Sequence, residues 1–367
     1  MRILVTGSNG FIAKNLIIRL NENNYNTLEF KRGDSLELLS QNIIKADIIF
    51  HLAGENRTND EDLFIKNNII LTKDICNILK NNNLKIPILF SSSIHSDRDT
   101  AYGKSKKKAE NLLYNLHKEN NNPVLIYSLP GVFGKWSKPF YNSVVSTFCH
   151  SIAKGMDIKI NEPEKIIKLI FVDDLIEHFL LSIKNYDFGF TKVKVKPEYE
   201  ISVKDLANTL LNFKIYRETL FTDRVGEGLI KKLYSTFLTY LPIEKCFYEI
   251  DSHSDQRGRF VEMLKTKDSG QFSFFTAKPG ITRGGHYHHS KFEKFLVLKG
   301  KALFRLVNIL SKEYKEIKLF ADNPLIVESI PGWTHDIKNI GKDELIVMLW
   351  ANEVFDKDNP DTFMHEI

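Results

Sequence analysis

The stretch that most narrows the fold is "RILVTGSNGFIAKNLIIRLNE" at residues 2–22. A short apolar run stops at two glycines and gives way at once to apolar residues at helical spacing. Strand, glycine turn and helix in that order belong to a parallel α/β unit. Within it, "TGSNGFIA" fits G-x-x-G-x-x-A through Gly7, Gly10 and Ala13. The first glycine permits the tight turn, and the second lets backbone approach a pyrophosphate. The small third residue lets helix pack on strand, while the helix N-terminus attracts phosphates. The motif predicts a dinucleotide site, against the alternative of a glycine-rich turn with no ligand.

The alternation continues along the first half. "NTLEF", "ADIIFHLAG", "IPILFSSS" and "PVLIYSLP" read as strands, and "NNIILTKDICNILKNN" and "YGKSKKKAENLLYNLHKEN" as helices. This predicts an α/β domain with a doubly wound parallel sheet of Rossmann type, helices on both faces. After about residue 243 helical periodicity nearly vanishes. Short apolar runs between turns, among them "QFSFFTA", "EKFLVLKG", "KALFRLVNI" and "ELIVMLWA", predict a small all-β barrel or jelly roll. "STFLTYLPIEKC" reads as the junction, so the expected domains are residues 1–243 and 244–367.

Bulk chemistry removes several classes of function. A net charge of +5 over 367 residues is mild, and the one dense basic run, "KSKKK" at 104–108, reads as a solvated helix face, not a nucleic-acid patch. The three cysteines are far apart with no C-x-x-C, as expected of reduced thiols in a cytoplasm. The first apolar run, "ILV", is too short for a signal peptide, and nothing approaches the roughly 20 apolar residues of a membrane helix.

The second strand and its end, "LEFKR", indicate which dinucleotide. Glu29 lies inside the strand, while Lys31 and Arg32 stand at its end, where cations attract a ribose 2′-phosphate. NADP is expected; the plainer alternative makes Arg32 surface charge only. Tyr102 and Lys106 are four apart on one helix face. An ammonium beside a phenol should lower its pKa and let it exchange a proton with a carbonyl oxygen. The serines of "LFSSS" end a strand where a hydroxyl could bond the same oxygen.

"TGSNGFIA", "HLAG", "NNIILT", "FSSS", "YGKSK" and "FVDDL" together resemble the extended short-chain dehydrogenase/reductase family, especially its nucleotide-sugar epimerases, dehydratases and reductases. The resemblance implies that Tyr102 is the acid/base, Lys106 binds the nicotinamide ribose and Ser93 orients the substrate, with Ser92 the alternative serine. It implies cofactor contacts from Gly7, Asn9, Gly10, Phe11, Ile12, Lys31, Arg32, Leu52, Ala53, Gly54 and Asn68, besides Tyr102 and Lys106. Asp173 takes a structural role near the sugar-nucleotide region. "YSLPGVFG" departs from the pattern: Ser128 and Gly131 stand where many relatives carry arginine and asparagine, so ordinary substrate contacts do not carry over.

The C-terminal half holds a second set of groups in "GGHYHHSKFE" and "PGWTHDIKN". On a strand His286 and His288 share one face and His289 takes the other; Glu293 opens the next strand and His335 follows a turn. Converging imidazoles and a carboxylate suit zinc, and also iron, nickel or manganese. The spacing resembles the cupin superfamily: Gly280, His286, His288, Glu293 and Gly300 fit its first motif. Gly332, His335 and Asn339 fit its second, with Pro331 abutting the glycine. "DQRGRFVE" and "RGGHYHH" resemble the deoxysugar 3,5-epimerase branch, in which the histidine of R-G-x-H-Y serves as base without metal. His286 is thus base or ligand; His288, Glu293 and His335 favour ligand, and a divalent metal, zinc first, is expected.

A reductase followed by such a cupin resembles the bifunctional enzymes of capsular polysaccharide biosynthesis. That resemblance implies a homodimer acting on a UDP-activated 4-keto-6-deoxy amino sugar. The cupin would epimerise C3 of a UDP-2-acetamido-2,6-dideoxy-4-hexulose, and the reductase would reduce the C4 ketone with NADPH. The product would be UDP-2-acetamido-2,6-dideoxy-L-talose, a precursor of UDP-N-acetyl-L-fucosamine. Two alternatives stay open: a simple ketoreductase whose cupin only binds sugar or dimerises, and a nucleotide-sensing regulator.

Overall fold

The computed structural model describes residues 1–58, 60–184, 189–250, 252–255, 258–261, 263–266, 270–353 and 358–367, without the side chains of 221, 252–255, 258–261, 265–266 and 271. The "DQRGRFVE" side chains therefore lie outside the described residues. The chain forms two compact units, one of Met1–Phe133, Phe140–Ser143 and Ile167–Glu200, the other of Gly134–Pro139, Val144–Ile166 and Ile201–Ile367.

The first unit is the predicted parallel sheet. β1 (Arg2–Thr6), α1 (Phe11–Glu22), β2 (Asn26–Phe30), α2 (Leu36–Lys45), β3 (Ile48–His51), β4 (Ile88–Ser93) and β5 (Val124–Leu129) supply most of it. Strand order is β2-β1-β3-β4-β5, with Phe190–Val193 at the edge, and every pairing is parallel. Alternate residues of β1 enter different cores. Ile3 and Val5 join the apolar cluster under α1 and the helix Val172–Lys184, and Leu4 joins the one under α2. A strand covered on both faces needs an unbroken apolar run, which "ILV" supplies. The order reverses between β1 and β3, and a crevice at such a switch point is where α/β sheets bind ligands.

The second unit is built on two antiparallel five-stranded sheets. One runs Phe247–Glu249, Leu325–Glu328, Glu293–Lys299, Leu345–Ala351, Gln271–Ala277; the other runs Tyr314–Phe320, Lys301–Asn308, Trp333–Asn339, Thr282–Tyr287, Phe363–Met364. Phe295, Val327 and Val347 of the first share one core with Phe304, Leu306 and Ile337 of the second. This is the expected all-β cupin jelly roll.

The compact unit reaches further back along the chain than the change of periodicity at residue 243. It takes in the helices Val144–Ala153, Val203–Thr219 and Gly228–Leu238. "STFL", read as part of a junction, is the buried end of the last of these. Aromatic packing explains the attachment: Tyr234 stacks edge-on to Phe213 at 4.9 Å and to Phe292 at 4.8 Å, and Phe292 meets Trp350 at 5.8 Å.

Phe179 is fully buried between Phe50 (ring centroids 5.2 Å) and Tyr127 (4.7 Å). Phe179→Ala should cost about 3–5 kcal/mol in the urea unfolding transition of the first unit.

Candidate functional sites

The turn after β1 is shaped by contact with the loop after β3. Gly7 has φ +69° and donates its N–H to the Phe30 carbonyl at 2.7 Å. A Cβ there would lie 2.7 Å from the Ala53 Cα, so only glycine fits. Asn9 and Gly10 are exposed at the mouth of the turn, and Phe11 and Ile12 open α1 half-buried against the core, as does Leu52. The Ala53 N–H donates to the Thr6 hydroxyl at 3.2 Å. Thr6 in turn meets His51 Nδ1 at 2.8 Å, and His51 Nε2 meets Thr72 Oγ1 at 2.9 Å. Burial, with Lys106 nearby, pushes His51 down to about 3, so this ring is a neutral relay of hydrogen bonds. His51 and Thr72 lie within "HLAG" and "NNIILT", but nothing in the sequence marks them as partners.

Tyr102 and Lys106 lie on the long helix Ala101–Asn120, capped by Thr100. Lys106 is buried; its Nζ donates to the Ser91 carbonyl at 2.9 Å and lies 4.9 Å from the Phe90 ring centre. Burial pushes its pKa down to about 8, against the pull of Glu110. The Tyr102 phenol behaves differently from the expectation. Burial raises its pKa, and the opposing influence is a hydrogen bond with Ser93 rather than the Lys106 ammonium. Residues alternate along β4, so Ser92 faces away and donates to the buried Glu110 carboxylate, which also pairs with Lys192 at 3.1 Å. Ser93 is therefore the serine brought to Tyr102.

Asn68 sits in a π-helical turn, Ile65–Ile70, a distortion often found at functional sites. Its Oδ1 accepts from the Glu55 N–H at 2.7 Å, and its Nδ2 donates to the Glu55 carbonyl at 2.9 Å and to Ser105 Oγ at 2.8 Å. It thus ties the loop carrying Gly54 to the helix carrying Lys106. Glu55 was not foreseen. Its buried carboxylate accepts from Tyr141 and pairs with Arg32 at 2.7 Å. Arg32 remains exposed at the end of β2, and the Lys31 N–H is held by Asp34 at 2.8 Å. Lys104 and Lys107 of the basic run pair with Asp99 and Asp97. Asp173 stands in the first turn of Val172–Lys184; Ser128 lies within β5, and Gly131 opens a short strand after it.

In the second unit His286, His288, Glu293 and His335 converge, with one donor atom from each within 4.8 Å of the others. A bulge produces this register. Gly284, at φ +103°, opposes Asp336, and the pairing then slips so that His286 faces His335. A Cβ on Gly284 would lie 2.9 Å from the His335 carbonyl oxygen. His288 Nε2 and His335 Nε2 both lie 3.2 Å from the same Glu293 oxygen. His289 points elsewhere and packs against Tyr287 and Phe363.

The protonation states suit a metal. Burial, with His335 and His288 nearby, pushes His286 down to about 3, and burial also lowers His335 despite its bond to Glu293. Burial opposes ionisation of Glu293, but its bonds to the two histidines outweigh that and hold it well below the usual carboxylate range. Neutral imidazoles with an ionised carboxylate are the ligand forms. His288 Nδ1 meets the Asp361 carbonyl, which can only accept, so that nitrogen carries the hydrogen. With Nδ1 so committed, Nε2 is the His288 ring nitrogen that faces Glu293 and the one that would reach an ion. The donor set fits a divalent ion bound by nitrogen and oxygen.

Residues 3–196 match the model of the NAD dependent epimerase/dehydratase family, and residues 253–363 match that of the polysaccharide biosynthesis C-terminal domain. The chain is 49% identical over 364 residues to a Pseudomonas aeruginosa protein described as UDP-2-acetamido-2,6-beta-L-arabino-hexul-4-ose reductase, covering 99% of this chain and 98% of that one. The chain belongs to the NAD dependent epimerase/dehydratase family. It is also similar over the whole of both chains to the crystal structure of the capsular polysaccharide assembling protein CapF from Staphylococcus aureus, at 37% identity and TM-score 0.68. A CapF structure with the inhibitor 3-isopropenyl-tropolone matches at 34% identity and TM-score 0.63, again over the whole of both chains. The family fold alone extends to a Bacillus cereus UDP-glucuronic acid 4-epimerase in complex with NAD, at 18% identity and TM-score 0.53 over 58% of this chain and 84% of that one.

With Lys106 titrating near 8 and Tyr102 raised, the first unit holds a protonated phenol beside an ammonium that is lost in mild alkali. The kcat/KM for reduction should fall above about pH 8 as Lys106 loses its proton. A profile flat to about pH 10 would contradict that assignment.

Proposed function

We propose that this chain is a bifunctional nucleotide-sugar enzyme of capsular polysaccharide synthesis, an NADPH-dependent 4-ketoreductase with a C3-epimerase. In this reading residues 1–243 carry reduction and residues 244–367 carry epimerisation. The observation that carries it is the presence of both side-chain clusters in a chain alike over 99% of its length to a UDP-2-acetamido-2,6-beta-L-arabino-hexul-4-ose reductase.

The substrate is a UDP-2-acetamido-2,6-dideoxy-4-hexulose. The proton on C3 is acidified by the adjacent C4 ketone, because the electron pair left behind delocalises onto oxygen. His286, His288, Glu293 and His335 would hold a divalent ion, zinc first, that supplies positive charge to this oxygen when bound. A base removes the proton from one face and its return to the other inverts C3. In the first unit, bound NADPH supplies hydride to C4. Ser93 orients the ketone, and Tyr102 gives its phenolic proton to the oxygen. Lys106 holds the nicotinamide ribose, and its charge offsets the negative charge left on Tyr102. Arg32 and Lys31 favour the 2′-phosphate of NADPH. Reduction removes the ketone, so C3 loses its acidity and the inverted configuration is locked in UDP-2-acetamido-2,6-dideoxy-L-talose, the precursor of UDP-N-acetyl-L-fucosamine.

The homodimer is carried by resemblance. The cytoplasmic setting is supported by three cysteines that are all free and buried, and no described helix is long and apolar enough to cross a membrane.

The test is product analysis on the 4-keto substrate with and without NADPH. Wild-type enzyme should accumulate C3-inverted ketose without NADPH and the reduced sugar with it. Tyr102→Phe should slow reduction by about 10²–10⁴-fold and leave inversion intact. His335→Ala should do the reverse, reducing pre-inverted ketose normally while failing to invert C3. If His335→Ala makes the same product from the uninverted ketose at the wild-type rate, the cupin is only a binding or dimerisation module.

A further inference from the structure

The loop between His288 and Glu293 is irregular, and its backbone N–H groups need acceptors. One residue, distant in sequence, supplies acceptors for three of them, and Asn352 Oδ1 takes the Phe292 N–H at 2.9 Å. Asp361 Oδ1 accepts from the His289 N–H at 2.8 Å. Its Oδ2 accepts from the N–H groups of Ser290 and Lys291, both at 2.7 Å, and from the Ser290 hydroxyl at 3.0 Å. Its backbone carbonyl accepts from His288 Nδ1. The residues that follow continue along the same strand: Phe363 and Met364 pair with Tyr287 and His286, and the His365 N–H donates to the Gly285 carbonyl at 2.8 Å.

We propose that Asp361 is a positioning residue of the metal centre, fixing the 288–291 loop through its carboxylate and the His288 ring through its carbonyl. This rests on the metal reading given above. Two consequences follow from the hydrogen bonds. The carboxylate gathers three consecutive backbone donors and so ties down the loop that joins His288 to Glu293. The carbonyl obliges His288 to carry its hydrogen on Nδ1, which leaves Nε2 for the ion. Partners of this kind orient histidine ligands, and their loss commonly costs about 10–100-fold in metal affinity.

The experiment is a zinc titration of full-length wild type, Asp361→Asn and Asp361→Ala against a chelating competitor, with circular dichroism of the metal-free proteins and NADPH binding as controls. Asp361→Ala should bind zinc about 10–100-fold more weakly while NADPH binding is unchanged. Asp361→Asn, which keeps an acceptor oxygen and folds more readily, should lose less. In ¹⁵N-detected NMR of zinc-loaded wild type, the His288 ring should carry its proton on Nδ1. Unaltered zinc affinity in both variants overturns the proposal even if their thermal stability falls, since Asp361 is then only structural. A wild-type protein that binds no zinc overturns the metal reading and this inference with it, whereas zinc binding that ignores Asp361 overturns this inference alone.

Discussion

The ammonium of Lys106, held 2.9 Å from the Ser91 carbonyl in a site closed to water, organises the first unit. A buried charge must be met by dipoles or it is lost to deprotonation. Here the cost shows as a pKa brought down to about 8. The bond fixes the helix Ala101–Asn120 against the end of β4. That in turn fixes Tyr102 against Ser93, two residues beyond Ser91 on the same strand face. Asn68 closes the arrangement by joining the same helix, through Ser105, to the backbone of Glu55.

The second unit solves an analogous problem with the opposite sign. Glu293 is a buried carboxylate that meets two imidazoles on one oxygen and the Lys291 ammonium, at 3.0 Å, on the other. That geometry is poor for neutral rings alone and good for rings and carboxylate around a cation. On the proposed reading both centres would place positive charge where a ketone oxygen gains electron density, one by an ammonium and one by a bound ion. The substrate's C4 oxygen would then visit both.

Much of this was legible in the sequence because the decisive residues are close along the chain. Gly7 to Ala13 spans one turn and the first turn of a helix, and Tyr102 and Lys106 are one helical turn apart. His286, His288 and Glu293 fall within one short stretch, near the end of one strand, just past it and at the start of the next, and the gap to His335 is bridged by a recurrent motif. What escaped the sequence is long-range or depends on environment. Burial raises the pKa of Tyr102, and spacing along the chain does not report burial. The choice between Ser92 and Ser93 needed the strand's facing. Asp361 reaches back across about 70 residues to the ligand loop, with no local pattern to mark it. The helices before residue 243 join the β unit through Tyr234, Phe292 and Trp350, aromatic contacts that periodicity cannot assign.

The central claim is that one ketone serves two successive reactions, inversion at C3 and then reduction at C4. It is tested most directly by running the metal-loaded, full-length enzyme with the 4-keto substrate and NADPH in heavy water and locating isotope in the final sugar. The account predicts one deuterium at C3 and unlabelled hydrogen at C4, since the first comes from solvent and the second from NADPH. A reduced product with no deuterium at C3 would contradict it.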